Sequence, residues 1–517
     1  MPDATETSAI QSTGAIHRAG QLGVTELFLA RARATPGALA LLQDGREVTY
    51  AALAARVERL AAGLQARGVR RGDRIAILSE NRAEYVEAML AAGRIGAILA
   101  CQNWRLAAPE LSHCLALVAP VLTIVSPRHA ARLAALDPPP PGAVLALGAP
   151  YEALIAAAGP HPAATGFDPE DGLLILYTSG TTGLPKGALI SHRALLARMA
   201  AARLDLGIVS TDGFCAWAPM FHMASADHLL AALMSGGPVI VIDGMLPAAI
   251  AAACARFPIG WLVLIPGAIA PLIAELKAHP IVPQPIRAMG AMADLVPTHQ
   301  LAEITALLRG PYLNSFGATE TGLPPASAGM IPQGTIPTSF TKRQSLLCDL
   351  RLVDDAGNEV PDGETGEMAI RGPTVFSGYW EAHATNRRDF QDGWFRMGDL
   401  FRRTPDGGFD FVDRAKYMIK SGGENIYPAE IERVLLADPR VAEAVVVRTR
   451  DPQWGEVPCA FVVRRDPALR AEDVEALCRA QLAGYKRPRL VRFVAMEDLP
   501  RSTTGKIQRH ELEPLVR

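Results

Sequence analysis

The chain has 517 residues, too many for one hydrophobic core, and 49% of them are hydrophobic, enough to bury more than one. Its 51 basic and 53 acidic side chains leave a formal net charge of −2, which gives no field favouring nucleic acid or an anionic membrane. The seven cysteines, at 101, 114, 215, 254, 348, 459 and 478, are odd in number and widely spaced, with no CxxC, and so predict free thiols in a reducing, cytoplasmic setting and no zinc site.

Residues 1–20 carry Asp3 and Glu6 and no apolar run, so they predict a disordered tail rather than a secretory leader. From about Val24 to Asp168, alanine-rich helical stretches alternate with short apolar runs such as RIAIL (74–78) and VLTIV (121–125). That is the rhythm of βα units around a parallel sheet. DPPPPG (137–142) reads as a loop. A second α/β stretch runs from LLILY (173–177) through PVIVI (238–242) and WLVLI (261–265) to YLNSF (312–316). The long uncharged stretch 257–274 holds Pro258, Pro266 and Pro271, which divide it into a buried strand, a turn and a helix start rather than a membrane span.

Around 348–412 helical patterns fade, and strands such as DLRLV and GEMAI sit between turns like PDGETG. This predicts a small antiparallel sheet or β-barrel-like subdomain. After Arg414 the α/β rhythm returns, with a helix face at Ile431, Val434 and Leu435, a strand at VAEAVVV, a helix near 471–483 and a strand at LVRFV. The expected class is α/β: a large domain of parallel sheets with the β subdomain over 21–413, a hinge at 414–416, and a small mobile α+β domain over 417–517.

YTSGTTGLPKG (177–187) directly follows the apolar strand LLILY. Gly180 and Gly183 allow positive φ, so backbone N–H groups can line one concavity. Thr178, Ser179, Thr181 and Thr182 add hydroxyl donors, and Lys186 adds a point charge. The composition suits a chain of phosphates. A Walker loop needs glycine before its lysine and Ser/Thr after it, whereas Pro185 and Gly187 stand there.

The stretch resembles the phosphate-binding signature of the AMP-forming, adenylate-forming superfamily of acyl-CoA synthetases, peptide-synthetase adenylation domains and luciferases. Four further stretches resemble the family's motifs in its order: FGATETG (316–322), GWFRMGDL (393–400), DRAKYMIKSGGENIYPAEIE (413–432) and RSTTGKIQR (501–509). The resemblance implies a two-step reaction. A carboxylate attacks the α-phosphate of ATP with loss of pyrophosphate, and a thiol, usually that of coenzyme A, then displaces AMP. Two anions must meet, so cationic groups are needed where charge builds up.

By that resemblance the loop from Thr178 to Gly183, with Lys186, clasps the leaving phosphates. Lys506 bridges the attacking carboxylate and the α-phosphate. Glu320 is a catalytic residue and Mg2+ ligand, with Thr178 as hydroxyl partner; hard oxygens suit Mg2+. Asp399 accepts the ribose hydroxyls beside Arg414. Phe316 stacks near adenine, Gly317, Ala318 and Thr319 line the nucleotide, and Gly290 and Ala291 form the other adenine wall. His222 lies beside the substrate carboxylate, and His222, Met223, Ala224, Gly290 and Gly317 line the acid pocket. Lys416 is the hinge. Ser421, Gly422, Gly423 and Glu424 border the pantetheine channel. Taken singly, Glu320, Asp399 and Lys506 would read as solvated charges; the motif context carries them. Three positions depart from the family pattern: Phe316 where tyrosine is common, Met397 where a hydroxyl residue is common, and AMGAMAD (288–294) without its usual proline.

SGGEN (421–425) followed by Tyr427 and Pro428 resembles the coenzyme A ligase branch, and the expectation is a free-standing ligase, with no carrier domain after residue 517, rather than a peptide-synthetase module. From Trp217 to Ala249 there is no lysine or arginine, so a second substrate carboxylate would be buried unpaired. The expected substrate is an apolar fatty, aryl or alicyclic monocarboxylate. Asp227 and His228 are open to a polar substituent, and Arg287 is the nearest cation that could turn inward. The expected cosubstrates are ATP with Mg2+ and coenzyme A, with no nucleic acid, no integral membrane segment and room for a homodimer. The alternatives are an enzyme that loads a carrier protein or another acceptor, and a non-catalytic homologue.

Overall fold

The structure, a computed structural model, describes residues 19–163, 166–178, 184–294, 296–421, 424–501 and 507–516. The predicted tail lies almost wholly outside them. Leu173, Leu174 and Ile175 of strand Gly172–Thr178 are fully buried, as an unbroken apolar run requires. The strand belongs to a six-stranded sheet ordered Ala143–Ala146, Leu122–Val125, Arg74–Leu78, Ile98–Cys101, Gly172–Thr178 and Lys186–Ser191. The first five strands are parallel. The sixth returns antiparallel on the fifth, with Thr178 opposite Lys186. The phosphate-type loop is therefore a hairpin connection, and its returning arm has no counterpart among the predicted elements.

A second sheet is ordered Arg46–Thr49, Leu39–Gln43, Val239–Val241 and Phe214–Ala216; a third, Ile259–Leu262, Ile286–Met289, Tyr312–Leu313 and Met330–Ile331. Each is parallel apart from one antiparallel edge strand. Gly213 joins them: its N–H donates to the Pro258 carbonyl at 2.7 Å and its carbonyl accepts from Gly260 at 3.0 Å. Strand Ile259–Leu262 and helix Pro266–Ala278 divide the suspect apolar stretch as expected, although Pro271 sits inside the helix rather than ending it. No described helix is long and apolar enough to cross a membrane.

The segment after Cys348 forms a five-stranded antiparallel sheet. Its long strand Trp394–Arg403 pairs with Thr365–Arg371 on one side and with Phe390–Gln391 and Phe409–Arg414 on the other; Asp349–Val353 completes it. Phe395, Phe401 and Phe409 join the same apolar cluster as Val24 and Phe28, so this sheet shares the large core.

Beyond the single turn Ala415–Tyr417, strands Ile419–Ser421, Glu424–Ile426, Val441–Asp451, Gly455–Arg464 and Leu490–Phe493 make a separate sheet. Alternation along Val441–Asp451 serves two small cores. Val446 packs with Ile431, Leu435 and Val474, whereas Val445 and Val447 pack with Phe461 and Leu512. All seven cysteines are free; Cys348 is half-buried and the other six are buried. Burial pushes the thiols up, to about 11 for Cys459 and Cys478 and about 12 for Cys101, Cys254 and Cys348.

Candidate active site

The hairpin fixes both ends of the phosphate-type loop. Thr178 ends one arm and Lys186 begins the other. The Pro185 carbonyl lies 3.1 Å from His113 Nε2, which holds the approach to Lys186. Burial holds the Lys186 ammonium below the usual lysine range, and neighbouring Arg388 acts in the same sense. A desolvated cation of this kind gains most from a phosphate partner. Ser179, Gly180, Thr181, Thr182 and Gly183 lie outside the described residues.

The second stretch, 316–322, is also a tight hairpin. Gly317–Ala318 pairs with Gly322–Pro325. A Cβ on Gly317 would stand 2.1 Å from the Gly322 carbonyl oxygen, so the close approach needs glycine. Ala318 N–H donates to Thr321 Oγ1 at 3.2 Å, and Thr321 N–H donates back to the Ala318 carbonyl at 3.1 Å. Thr319 and Glu320 are thus held at the tip. One Glu320 oxygen accepts the Tyr379 hydroxyl at 2.7 Å, and Lys186 Nζ stands 5.2 Å from the centre of the same tyrosine ring. Tyr379, which the sequence reading did not single out, brings the two motifs together.

Mg2+ suits this donor set. Glu320 and Thr178 offer hard oxygens, and no cluster of three His, Cys, Asp or Glu side chains occurs among the described residues. An ion that keeps waters and phosphate oxygens as ligands needs no more protein than that.

Arg198 is a second residue missed from sequence. Its guanidinium donates to Asp227 at 3.0 Å, to the Thr374 carbonyl at 2.9 Å and to the Thr319 carbonyl at 3.2 Å. Arg198 and Asp227 are each 3% exposed. The pair ties helix Met223–Ser235 to the residue preceding Glu320. Asp227 is thus engaged through one oxygen, a partner the sequence did not reveal, while its buried Oδ1 has no hydrogen-bond partner among the described residues. His228 is buried beside it: its ring packs 4.3 Å from Trp261, and burial lowers its pKa to about 3. Arg198→Met should strand the buried Asp227 carboxylate and lower stability by about 3–5 kcal/mol, whereas Arg198→Met/Asp227→Leu should recover most of that loss. Urea unfolding midpoints of the single and double variants check this; a double variant as unstable as the single one would deny the pairing.

His222 caps helix Met223–Ser235, its Nδ1 accepting from Ala224 N–H at 3.3 Å. That leaves the neutral ring's proton on Nε2. Met223 is buried and Ala224 half-buried in the first turn. Trp261 Nε1 donates to the Gly290 carbonyl at 2.9 Å, so His228 and Trp261 link this helix to Gly290. Gly290 has φ +97°, and a Cβ there would meet the Tyr312 ring at 2.3 Å. Ala291 N–H approaches Tyr312 Oη at 3.4 Å. The segment beyond is anchored by buried Lys342, which binds Asp294 and donates to Asn314 Oδ1 at 2.8 Å. Arg287 turns to Asp212, with Nε donating at 2.9 Å.

Asp399 and Arg414 are cross-strand partners 3.2 Å apart, and the Asp399 charge raises the Arg414 pKa. Next to Met397, which packs against the core, Gly398 N–H donates to Glu367 at 2.8 Å. Phe316 is 6% exposed, edge-on to Phe401 at 4.6 Å and stacked on Phe411 at 5.9 Å. Lys416 lies in the turn Ala415–Tyr417, where its carbonyl accepts from Arg448 at 3.4 Å. Ser421 and Glu424 face each other across a hairpin. Gly422, Gly423 and Lys506 lie outside the described residues.

The arrangement sets a desolvated lysine, a metal-type carboxylate and a carboxylate–arginine pair beside a helix with an apolar first turn. Residues 28–380 match the family model for AMP-binding enzymes, and residues 430–506 match that for the AMP-binding enzyme C-terminal domain. The chain is 36% identical over 502 residues to a feruloyl-CoA synthase of Amycolatopsis sp, covering 93% of this chain and 96% of that protein. It is 36% identical over 499 residues to an indoleacetate–CoA ligase of Aromatoleum aromaticum, with the same coverages of 93% and 96%. The o-succinylbenzoate CoA synthetase of Bacillus subtilis, solved with its acyl-adenylate intermediate, superposes with a TM-score of 0.83 at 28% identity over 94% of this chain and 97% of that one.

Proposed function

Because the chain belongs to the AMP-binding enzyme family and is an ATP-dependent, AMP-forming ligase joining a carboxylic acid to coenzyme A, we propose that its acid is an apolar aromatic monocarboxylate. One observation carries this reading. Arg198 and Arg287, the cations that could meet a second carboxylate from behind the pocket helix or its wall, are already bound to Asp227 and Asp212. An aromatic acid agrees with the acids named in the feruloyl and indoleacetate relatives.

The residues divide the work as follows. Asp399 accepts the ribose hydroxyls beside its partner Arg414. Lys186 meets the leaving phosphates. Glu320 and Thr178 would hold Mg2+, which supplies positive charge to the phosphate oxygens when bound. Lys506 draws the carboxylate onto the α-phosphorus; the new oxygen–phosphorus bond forms as the bond to pyrophosphate breaks. The C-terminal segment then turns about Lys416, and Ser421 to Glu424 admit the coenzyme A thiol, whose sulfur takes the acyl carbon as AMP leaves. The setting is a reducing cytoplasm, which free, buried thiols support.

The test is kcat/KM for pyrophosphate release and acyl-CoA formation with ferulate, indoleacetate, benzoate, octanoate, 2-succinylbenzoate and malonate. One of the three aromatic monocarboxylates should lead. Malonate should trail by at least about a hundredfold, since an unpaired buried carboxylate costs several kcal/mol. A preference for malonate or 2-succinylbenzoate would refute the charge argument and direct attention to Arg105, which packs 5.0 Å over Trp104.

A further inference from the structure

Tyr379 is fixed from every side. Residues 377–380 lie along the outer edge of strand Lys186–Ser191. Ser377 N–H donates to the Leu189 carbonyl at 2.8 Å, Leu189 N–H to Gly378 at 3.0 Å, and Trp380 N–H to Gly187 at 2.7 Å. Tyr379 itself stands opposite Ala188. Asn386 clamps its backbone twice, accepting from its N–H and donating to its carbonyl, each at 2.8 Å. Phe376 meets its ring edge-on at 4.8 Å, and Phe376 N–H donates to the Glu320 carbonyl at 2.8 Å. The same short segment thus holds the backbone of Glu320 and, through the phenol, its carboxylate.

The Tyr379 hydroxyl is the donor in its 2.7 Å bond to Glu320. A donor on one oxygen of a carboxylate fixes the plane of the group and leaves the second oxygen, to which no described residue donates, aimed in one direction. The ring face meanwhile collects the Lys186 ammonium.

We propose that Tyr379 is a positioning residue for the metal carboxylate: its hydroxyl orients Glu320 toward the divalent cation of the nucleotide, and its ring aligns Lys186 with the same phosphates. This rests on the ligase reading above for the identity of the nucleotide.

The test uses Tyr379→Phe, which keeps the ring and loses the hydroxyl, and Tyr379→Leu, which loses both. Mn2+ binding to the full-length enzyme with α,β-methylene-ATP, followed by electron paramagnetic resonance, needs no acid substrate. Tyr379→Phe should raise the half-saturating Mn2+ concentration about five- to tenfold, the scale of one charge-assisted hydrogen bond. Affinity for metal-free nucleotide should stay within about twofold, and kcat for pyrophosphate release at saturating Mg2+ should recover to near the parent value. Tyr379→Leu should in addition weaken metal-free nucleotide binding. A Tyr379→Phe protein that binds Mn2+ like the parent would overturn the assignment, as would one that weakens metal-free nucleotide equally. Failure of the ligase reading shows differently: the parent would bind Mn2+ and nucleotide yet release pyrophosphate with none of the acids.

Discussion

Replacing Lys506 by alanine is expected to cut acid-dependent pyrophosphate release about a thousandfold or more, the scale at which a principal cation acts in phosphoryl-type transfer. The reason is electrostatic: the attacking carboxylate and the α-phosphate repel, and none of the described cations is assigned to both. Both flanks of 502–506 are tied down. Arg501 and Ile507 form an antiparallel bridge, and half-buried Arg509 donates to Glu432 at 2.7 Å and to the Val446 carbonyl at 2.6 Å. Thioester formation from pre-made acyl-adenylate should fall by less than about tenfold, because that half-reaction does not join two anions. Single-turnover measurement of the two half-reactions checks the split; equal losses in both would remove Lys506 from the adenylation step.

Lys416→Pro is expected to keep adenylation and abolish thioester formation. The residue lies in a single turn between the strand Phe409–Arg414 and the first strand of the smaller sheet, Ile419–Ser421. The apolar clusters on the two sides are separate, so rotation there need not tear a core. It would break smaller contacts, including Ala429 N–H to Asp413 at 2.8 Å. Proline fixes φ near −65° and restricts the preceding residue, which would stall the proposed rotation about this backbone. Burst kinetics of pyrophosphate release without turnover to acyl-CoA would be the signature. Acyl-CoA formation at the parent rate would remove the hinge from Lys416.

The motifs were legible because their composition is locally unusual: hydroxyls and glycines gather around Lys186, and short glycine turns frame Glu320 and Asp399. The parallel sheets were legible from unbroken apolar runs such as LLILY. The residues that join these pieces were not. Tyr379 meets Glu320 across 59 positions, Lys342 meets Asp294 across 48, and Arg198 meets Asp227 across 29. No periodicity records such pairings, and each partner read alone resembles an ordinary charge or aromatic. Asp227 shows the cost of reading singly: as a lone acid on a pocket helix it suggested substrate recognition, whereas its buried arginine makes it a tie between the helix and the Glu320 hairpin. The returning strand Lys186–Ser191 was hidden for a related reason, since its first residue also belongs to the loop.

The state of the cysteines bears on self-inflicted damage. An acyl-adenylate is an acylating agent, and any thiolate it meets before coenzyme A becomes a competing acceptor. With even the least perturbed thiols pushed up to about 11, roughly one in ten thousand is ionised near neutral pH. Six of the seven are also shut away from solvent. The protein thus handles an activated acyl group while carrying almost no ionised sulfur nucleophile of its own to compete with the coenzyme A thiol.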